Sequence, residues 1–233
     1  MIKGKKLNSS TFKSLVGSLR YLKCTRSDIL FGVGLVSRFI ETPTMIHFKA
    51  LKWIFQYIKS IVDFGFFYGY SNSFDLMSYN DSDWAGDMDD RNNTIGFVFY
   101  IGDIIFTCSS KKQSIVILST CKTEYVATKA CICHSIWLRR LLKKLRMPQE
   151  KSTKIYVDNS SVIALIKNPV FHDRSKYFDT RFHYKQRSWS QICKNTISSA
   201  NIFTKPLKYD VFTKIRDLLG VMKKSSLRGG VEN

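Results

Sequence analysis

Residues 119 to 145 constrain the fold more than any other stretch of this chain. Val126, Ala130, Cys133, Trp137, Leu141 and Leu145 recur at steps of three and four, the spacing of one face of a helix. Pro148 then stops the run. This predicts one long helix, from about Ser119 to Leu145, with that stripe turned to the core. Strand patterns bracket it. Leu76 to Asp81 reads as a strand running into the turn-rich DSDWAGDMDDRNN. Thr94 to Ile101 and Ile104 to Cys108 are rich in β-branched and aromatic residues around a Gly102-Asp103 turn, which predicts an antiparallel hairpin. Ile115 to Leu118 is a further short apolar strand. Beyond the helix, Lys154 to Asp158 has the pattern of a short buried strand, and Asn159-Ser160 can cap a helix over Ser161 to Lys167. Strands, a long helix, a strand and a helix in that order define an α/β domain: a mixed β-sheet flanked by helices.

A small helical segment precedes it. Ser9-Ser10 can cap a helix through Phe12, Leu15, Val16 and Leu19. A second runs through Ile29, Val33, Val36 and Phe39 and ends before Pro43. A third spans Phe48 to Ile58, with Leu51, Ile54, Phe55 and Ile58 on one face and Lys49, Lys52 and Lys59 elsewhere on its surface. SNSFDL, residues 71–76, reads as a linker. The resulting division is 1–70 helical, 75–205 α/β, and 206–233 a C-terminal helix and tail.

The net charge is +19, from 37 Lys and Arg against 18 Asp and Glu. An excess of this size favours a polyanionic partner, most simply nucleic acid. The charge is unevenly placed. Residues 71–150 hold 10 basic and 9 acidic residues, while 1–70 hold 11 and 3 and 151–233 hold 16 and 6. The acids therefore gather between basic flanks, an arrangement suited to holding cations and gripping phosphates together. The six cysteines show no CxxC pairing, and Cys131-Ile132-Cys133-His134 has the wrong spacing for a zinc finger. Reduced thiols, an intracellular setting (cytoplasmic or nuclear, with no secretion signal) and no membrane partner are the expectations.

Three of the central acids have positions that invite chemistry. Asp81 ends the first strand, Glu124 lies in the first turns of the long helix, and Asp158 ends the strand after it. If those two strands pair, the aspartates project from neighbouring strand ends and the helix brings the glutamate over the same edge. Converging carboxylates repel unless a cation neutralises them, and hard oxygen ligands select Mg²⁺ or Mn²⁺. Two such ions about 4 Å apart suit phosphodiester hydrolysis. Each acid also has a plain structural use: Asp81 in a turn, Glu124 complementing a helix dipole, Asp158 capping the next helix.

A family resemblance bears on that choice. The segments LVGSLRYLKCTRSDI, SRFIETP, YNDSDWAGDMDDR, SSKKQS, TEYVA, WLRRLL, IYVDNSSVI, KNPVFHDRSK, NIFTKPL and LRGG resemble, in the family's order, the C-terminal part of copia-type retrotransposon Pol polyproteins. The resemblance implies a ribonuclease H fold over about 75–205, preceded by a remnant of the reverse-transcriptase region over 1–70. No YVDD polymerase motif is present, so DNA synthesis by this chain alone is not expected. The implied reaction is two-metal cleavage of the RNA strand of an RNA–DNA hybrid. Asp81, Glu124 and Asp158 match the family's metal-binding acids. Lys111, Lys112, Gln113, Arg174, Lys176 and Lys205 fall in segments expected to grip nucleic acid. The implied partners are an RNA–DNA hybrid or other nucleic acid, and the rest of a Pol polyprotein.

Several positions depart from the family pattern. Its ADIFTKPL reads Ala200-Asn201-Ile202-Phe203-Thr204-Lys205-Pro206-Leu207 here, so Asn201 stands where the fourth metal-binding aspartate belongs. An amide offers one neutral carbonyl oxygen in place of a charged carboxylate, and impaired turnover is the expectation; the alternative is a non-catalytic nucleic-acid-binding remnant of the same fold. Lys122 replaces an acid in the first turn of the long helix. It removes a capping box with Ser119 and sets a cation at a helix N-terminus, a cost of about 0.5–1 kcal/mol. Between Arg187 and Ala200 the chain is shorter than the family pattern. This predicts a truncated or lost edge strand, a displaced segment around Asn201, and only partial rescue by Asn201→Asp.

Overall fold

The computed structural model describes residues 9–68, 73–83, 92–113, 119–167, 190–194 and 198–224. The chain divides into two compact units, Met1–Tyr68 with Lys208–Asn233, and Gly69–Leu207. The strand expected at Ile115 to Leu118 lies outside the described residues.

The first unit contains α1 (Ser9–Leu22), α2 (Leu30–Ser37) and α3 (Met45–Ser60). Phe12, Val16, Leu19, Val33, Val36 and Leu51 form its core, with Ile54, Phe55 and Ile58 packed against it. The three helices predicted from periodicity are therefore present, although α2 is shorter than its predicted stripe: Val33 and Val36 are in the core, while Phe39 lies beyond the helix end and outside the core cluster. Strand β1 (Phe64–Phe66) follows. The C-terminal segment supplies a helix and a strand to this unit. Helix α6 (Tyr209–Leu218) leads to β7 (Val221–Lys223), which pairs antiparallel with β1. A buried polar knot reinforces this unit. Arg26 donates through Nε and Nη2 to the two carboxylate oxygens of Asp28, at 3.0 and 2.7 Å, and the Tyr57 hydroxyl donates to Asp28 at 2.7 Å. Tyr57 packs edge-on against Phe212 of α6, and the Arg216 guanidinium sits 4.4 Å from the Phe64 ring centre.

The second unit is a five-stranded mixed sheet with helices. Strands β2 (Leu76–Asp83), β3 (Thr94–Ile101), β4 (Ile104–Lys112), β5 (Thr153–Val157) and β6 (Ser190–Lys194) lie in the order β4-β3-β2-β5-β6. The β2–β3 and β3–β4 pairs are antiparallel; β2–β5 and β5–β6 are parallel. Helix α4 (Thr120–Lys144) crosses one face of the sheet, and α5 (Ser160–Lys167) follows β5. Asn159 caps α5 as its sequence predicts, accepting from the backbone N–H groups of Ser161 and Val162 at 2.9 and 3.3 Å. Leu76, Phe97, Phe99, Ile155, Val157 and Val162 close the core against α4.

Two expectations are corrected here. First, α4 has the predicted length but a different buried face. Trp137 and Leu145, members of the expected stripe, are 55% and 58% exposed. The face on the sheet is Thr123, Glu124, Ala127, Thr128, Cys131, Ile132, Ser135, Leu138 and Leu142. Several of these are polar, and the sheet supplies partners for them. The Asn80 amide meets the Thr128 hydroxyl at 2.9 Å, Ser78 meets Cys131 Sγ at 3.3 Å, and Asn93 donates to Thr123 at 2.9 Å. A face satisfied by hydrogen bonds is invisible to a count of apolar residues. Second, the edge strand is not lost: β6 pairs with β5 along its full five residues, from Thr153↔Ser190 to Val157↔Lys194.

Opposite α4, a short 3₁₀ helix, Ser199–Phe203, lies against the sheet. Gly96 makes this approach possible. A Cβ there would stand 2.8 Å from both Phe203 Cβ and Thr204 Cγ2, closer than packed carbon atoms tolerate. Gly96→Ala is expected to destabilise the second unit by about 1–3 kcal/mol through overpacking. Gly17→Ala, in α1 where an added Cβ meets nothing within 4 Å, is expected to stabilise the first by about 0.5–1 kcal/mol. Urea unfolding of both variants against the parent chain measures the opposite signs.

Candidate metal centre

Asp81 and Asp158 meet because of strand register. The last parallel pair between β2 and β5 is Tyr79↔Tyr156, whose rings stack with centroids 4.8 Å apart. Each aspartate comes two residues later. Side chains alternate with period two, so both belong to the row of the stacked tyrosines, at the carboxyl ends of neighbouring parallel strands. Glu124 arrives from the first turns of α4. One ligand oxygen from each of Asp81, Glu124 and Asp158 lies within 4.8 Å of the others. Asp81 and Glu124 are buried and Asp158 is exposed. An open cavity of about 300 Å³ adjoins them, lined by Ser82, Thr120, Glu124, Asp158 and Asn159.

Burial and mutual repulsion shape the electrostatics. Burial first, then the nearby Asp158 and Asp81 carboxylates, push the Glu124 pKa up to about 8. Its Oε2 is buried without a hydrogen-bond partner among the described residues. Burial also raises the pKa of Asp81, against the lowering effect of Lys205 and Thr204. A buried acid with an unpartnered oxygen, two further carboxylates within one coordination sphere and a route to solvent are what an oxygen-loving divalent cation requires. The three residues fit such an ion, and this cluster could hold one.

The other predicted site residues fall as follows. Asn201 sits in the 3₁₀ helix, and its Oδ1 is buried without a partner among the described residues. Three residues on, Thr204 donates its hydroxyl to Asp81 Oδ2, and Lys205 Nζ lies 3.3 Å from the same oxygen. Lys205 therefore contacts a site acid directly. Lys111 and Lys112 end β4, paired across to Ile95 and Thr94, which pair in turn with Ser82 and Asp83. They thus lie at the same end of the sheet as the acids, two strands away, or about 10 Å. Gln113 follows, buried, with neither amide atom partnered among the described residues. Arg174 and Lys176 lie outside the described residues. The α4 N-terminus lacks a side-chain cap on Ser119 and has no acid in its first turn, as the Lys122 substitution predicts.

Sequence reasoning missed Thr204, Gly96 and the anchors of the 3₁₀ segment. Ser110 Oγ donates to the Phe203 carbonyl at 2.6 Å, Ser198 Oγ to the Asn80 carbonyl at 3.2 Å, and the Tyr100 hydroxyl to Ser199 at 3.3 Å. A lone glycine inside the β-branched and aromatic run Thr94–Ile101 was the available signal for a close backbone approach. Nothing in local periodicity marks Thr204.

An α/β domain with a carboxylate centre at the carboxyl ends of two parallel strands is thus in place, and comparison with known proteins identifies its relatives. The chain is 36% identical over 205 residues to a retrovirus-related Pol polyprotein from transposon TNT 1-94 of Nicotiana tabacum, covering 88% of this chain and 15% of that protein. It is 33% identical over 235 residues to one from transposon RE2 of Arabidopsis thaliana, covering 98% of this chain and 16% of that protein. The chain belongs to the retrovirus-related Pol polyproteins of copia-type transposons, and spans about a sixth of the relatives' length. No protein-family model matches it. A solved foamy viral protease-reverse transcriptase in complex with dsDNA shows a remote likeness: 11% identity, TM-score 0.47, covering 84% of this chain and 39% of that one. Among the described residues, no helix is long and apolar enough to cross a membrane.

The raised Glu124 pKa sets a pH dependence. A carboxyl whose folded pKa lies above its unfolded value stabilises the fold below the unfolded value, and that stability is lost as pH rises through the folded one. For Glu124 the window runs from its ordinary value of 4.5 to about 8. In EDTA, the melting temperature is expected to fall between pH 5 and pH 8, and to fall less in Glu124→Gln. Saturating Mg²⁺ or Mn²⁺ should offset the loss at pH 8 in the parent chain. Thermal unfolding monitored by circular dichroism reads all three effects.

Proposed function

We propose that residues 69–207 form a ribonuclease H-type domain of a retrotransposon Pol polyprotein, whose reaction is hydrolytic cleavage of the RNA strand of an RNA–DNA hybrid, impaired in this chain by Asn201. One observation carries the reading: three carboxylates from β2, α4 and the end of β5 converge within 4.8 Å beside an open cavity. The family membership and the net charge of +19 support a nucleic-acid substrate.

Asp81, Glu124 and Asp158 would hold Mg²⁺ or Mn²⁺, which supplies Lewis-acid stabilisation of phosphoryl charge and lowers the pKa of bound water. The remaining work falls to the chain itself. Burial of Asp81 and Glu124 keeps the acids close and partly desolvated. The α4 N-terminus, with Thr120 on the cavity wall and no side-chain cap from Ser119, presents backbone N–H groups suited to a phosphate. Lys111 and Lys112 add positive charge at the same end of the sheet. These contacts follow the phosphate backbone and carry no sequence preference.

Asn201 is the weak element. Replacing a carboxylate by an amide keeps one acceptor oxygen and removes one negative charge from the cation's surroundings. With β6 present and the 3₁₀ helix held by Ser110, Ser198 and Tyr100, the segment carrying Asn201 is anchored to the sheet. The expectation of only partial rescue rested on a truncated or lost edge strand, and this anchoring supports a larger effect. Asn201→Asp is expected to raise cleavage of a hybrid carrying labelled RNA by about 10²-fold or more with Mg²⁺ or Mn²⁺, the scale of removing one transition-state charge contact. Asp81→Asn in that background should abolish it. Cleavage by the unmodified chain as fast as by Asn201→Asp would refute the impairment; no cleavage by either, with salt-dependent hybrid binding retained, would favour a non-catalytic nucleic-acid-binding role.

A further inference from the structure

Asp81 already has a cation. Its side chain is 1% exposed, and both carboxylate oxygens are engaged: Oδ1 lies 3.5 Å from Lys205 Nζ, and Oδ2 lies 3.3 Å from Lys205 Nζ and accepts from the Thr204 hydroxyl. The two partners differ in character. Thr204 is fully buried and follows a segment pinned to the sheet through Ser110, Ser198 and the close approach at Gly96. Lys205 reaches Asp81 on a flexible stem, and its side chain is 37% exposed. Thr204 is thus a fixed donor, and Lys205 is a donor with a way out.

A buried carboxylate stays ionised only with a compensating charge. In the metal-free protein Lys205 supplies it. A divalent cation on Asp81 would supply the same compensation, and would then repel an ammonium group held at the same oxygens. We propose that Lys205 is a built-in counter-ion that stands in for the metal at Asp81 and competes with it. Metal loading expels Lys205 from the acid, and the departing ammonium is left at the rim of the centre, where it can meet a phosphate. Lys205 is a positioning residue of the metal-free state and sets the affinity of the centre for its ion. This inference rests on the metal-centre reading above.

Manganese titration of the full chain tests it, with free Mn²⁺ followed by electron paramagnetic resonance and thermal unfolding followed in EDTA. Lys205→Met keeps the stem and removes the charge. It is expected to bind Mn²⁺ at least about fivefold more tightly than the parent chain, the low end of a typical coupling between two binding events. It should also melt at a lower temperature in EDTA, with the deficit removed by saturating Mn²⁺. Lys205→Arg keeps a cation and should leave the affinity close to the parent value. Lys205→Gln serves as a second neutral variant should the methionine disturb folding. Equal or weaker Mn²⁺ affinity in folded Lys205→Met and Lys205→Gln would overturn the competition while leaving the metal centre intact. Absence of Mn²⁺ binding in the parent chain, in Lys205→Met and in Asn201→Asp alike would overturn the metal centre itself, and this inference with it.

Discussion

Everything at the candidate centre depends on the parallel pairing of β2 with β5. Its register, ending at Tyr79↔Tyr156, decides that Asp81 and Asp158 leave the sheet side by side. A shift of one residue would turn one aspartate to the opposite face, because side chains alternate along a strand. The tyrosine stack, with ring planes 14° apart, and the β5–β6 ladder outside it hold that register. Glu124 then needs only α4 to start near the same edge. The polar contacts between α4 and the sheet, at Asn80, Ser78 and Asn93, fix where the helix lies.

Drawing carboxylates together and burying two of them is costly, and the fold answers the cost unequally. Asp81 receives Thr204 and Lys205 from the far side of the sheet. Glu124 has no comparable partner for Oε2 among the described residues, and its pKa is raised. The chain's own compensation is therefore uneven: Lys205 and Thr204 answer the charge of Asp81, while burial and two neighbouring carboxylates push the Glu124 pKa up to about 8. Gly96 is the condition for the first half, because any side chain there would lift the Thr204 segment from the strand.

Much of the architecture was legible beforehand. The strands and helices predicted within the described residues are present, and the spacing of Asp81, Glu124 and Asp158 anticipated their convergence. The errors have a common origin. The stripe through Val126, Trp137 and Leu145 satisfied helical periodicity, yet α4 buries Thr123, Thr128 and Ser135 instead. Hydrophobicity counts cannot see a polar residue whose partner is supplied by a strand 30 to 50 positions away. The edge strand β6 was similarly undervalued, because Ser190–Lys194 has little apolar patterning and is stabilised by its ladder to β5.

The sequence by itself determined the long helices, strands β2 to β5 and their order, the strongly basic charge and the three acids available for chemistry, because each is written in local pattern or composition. It also determined that an amide stands at position 201. Tertiary structure alone decided which face of α4 is buried, that β6 completes the sheet, and that Lys205 and Thr204 turn inward to Asp81. Those outcomes depend on contacts between residues as much as 124 positions apart, and no local periodicity encodes a partner at that distance.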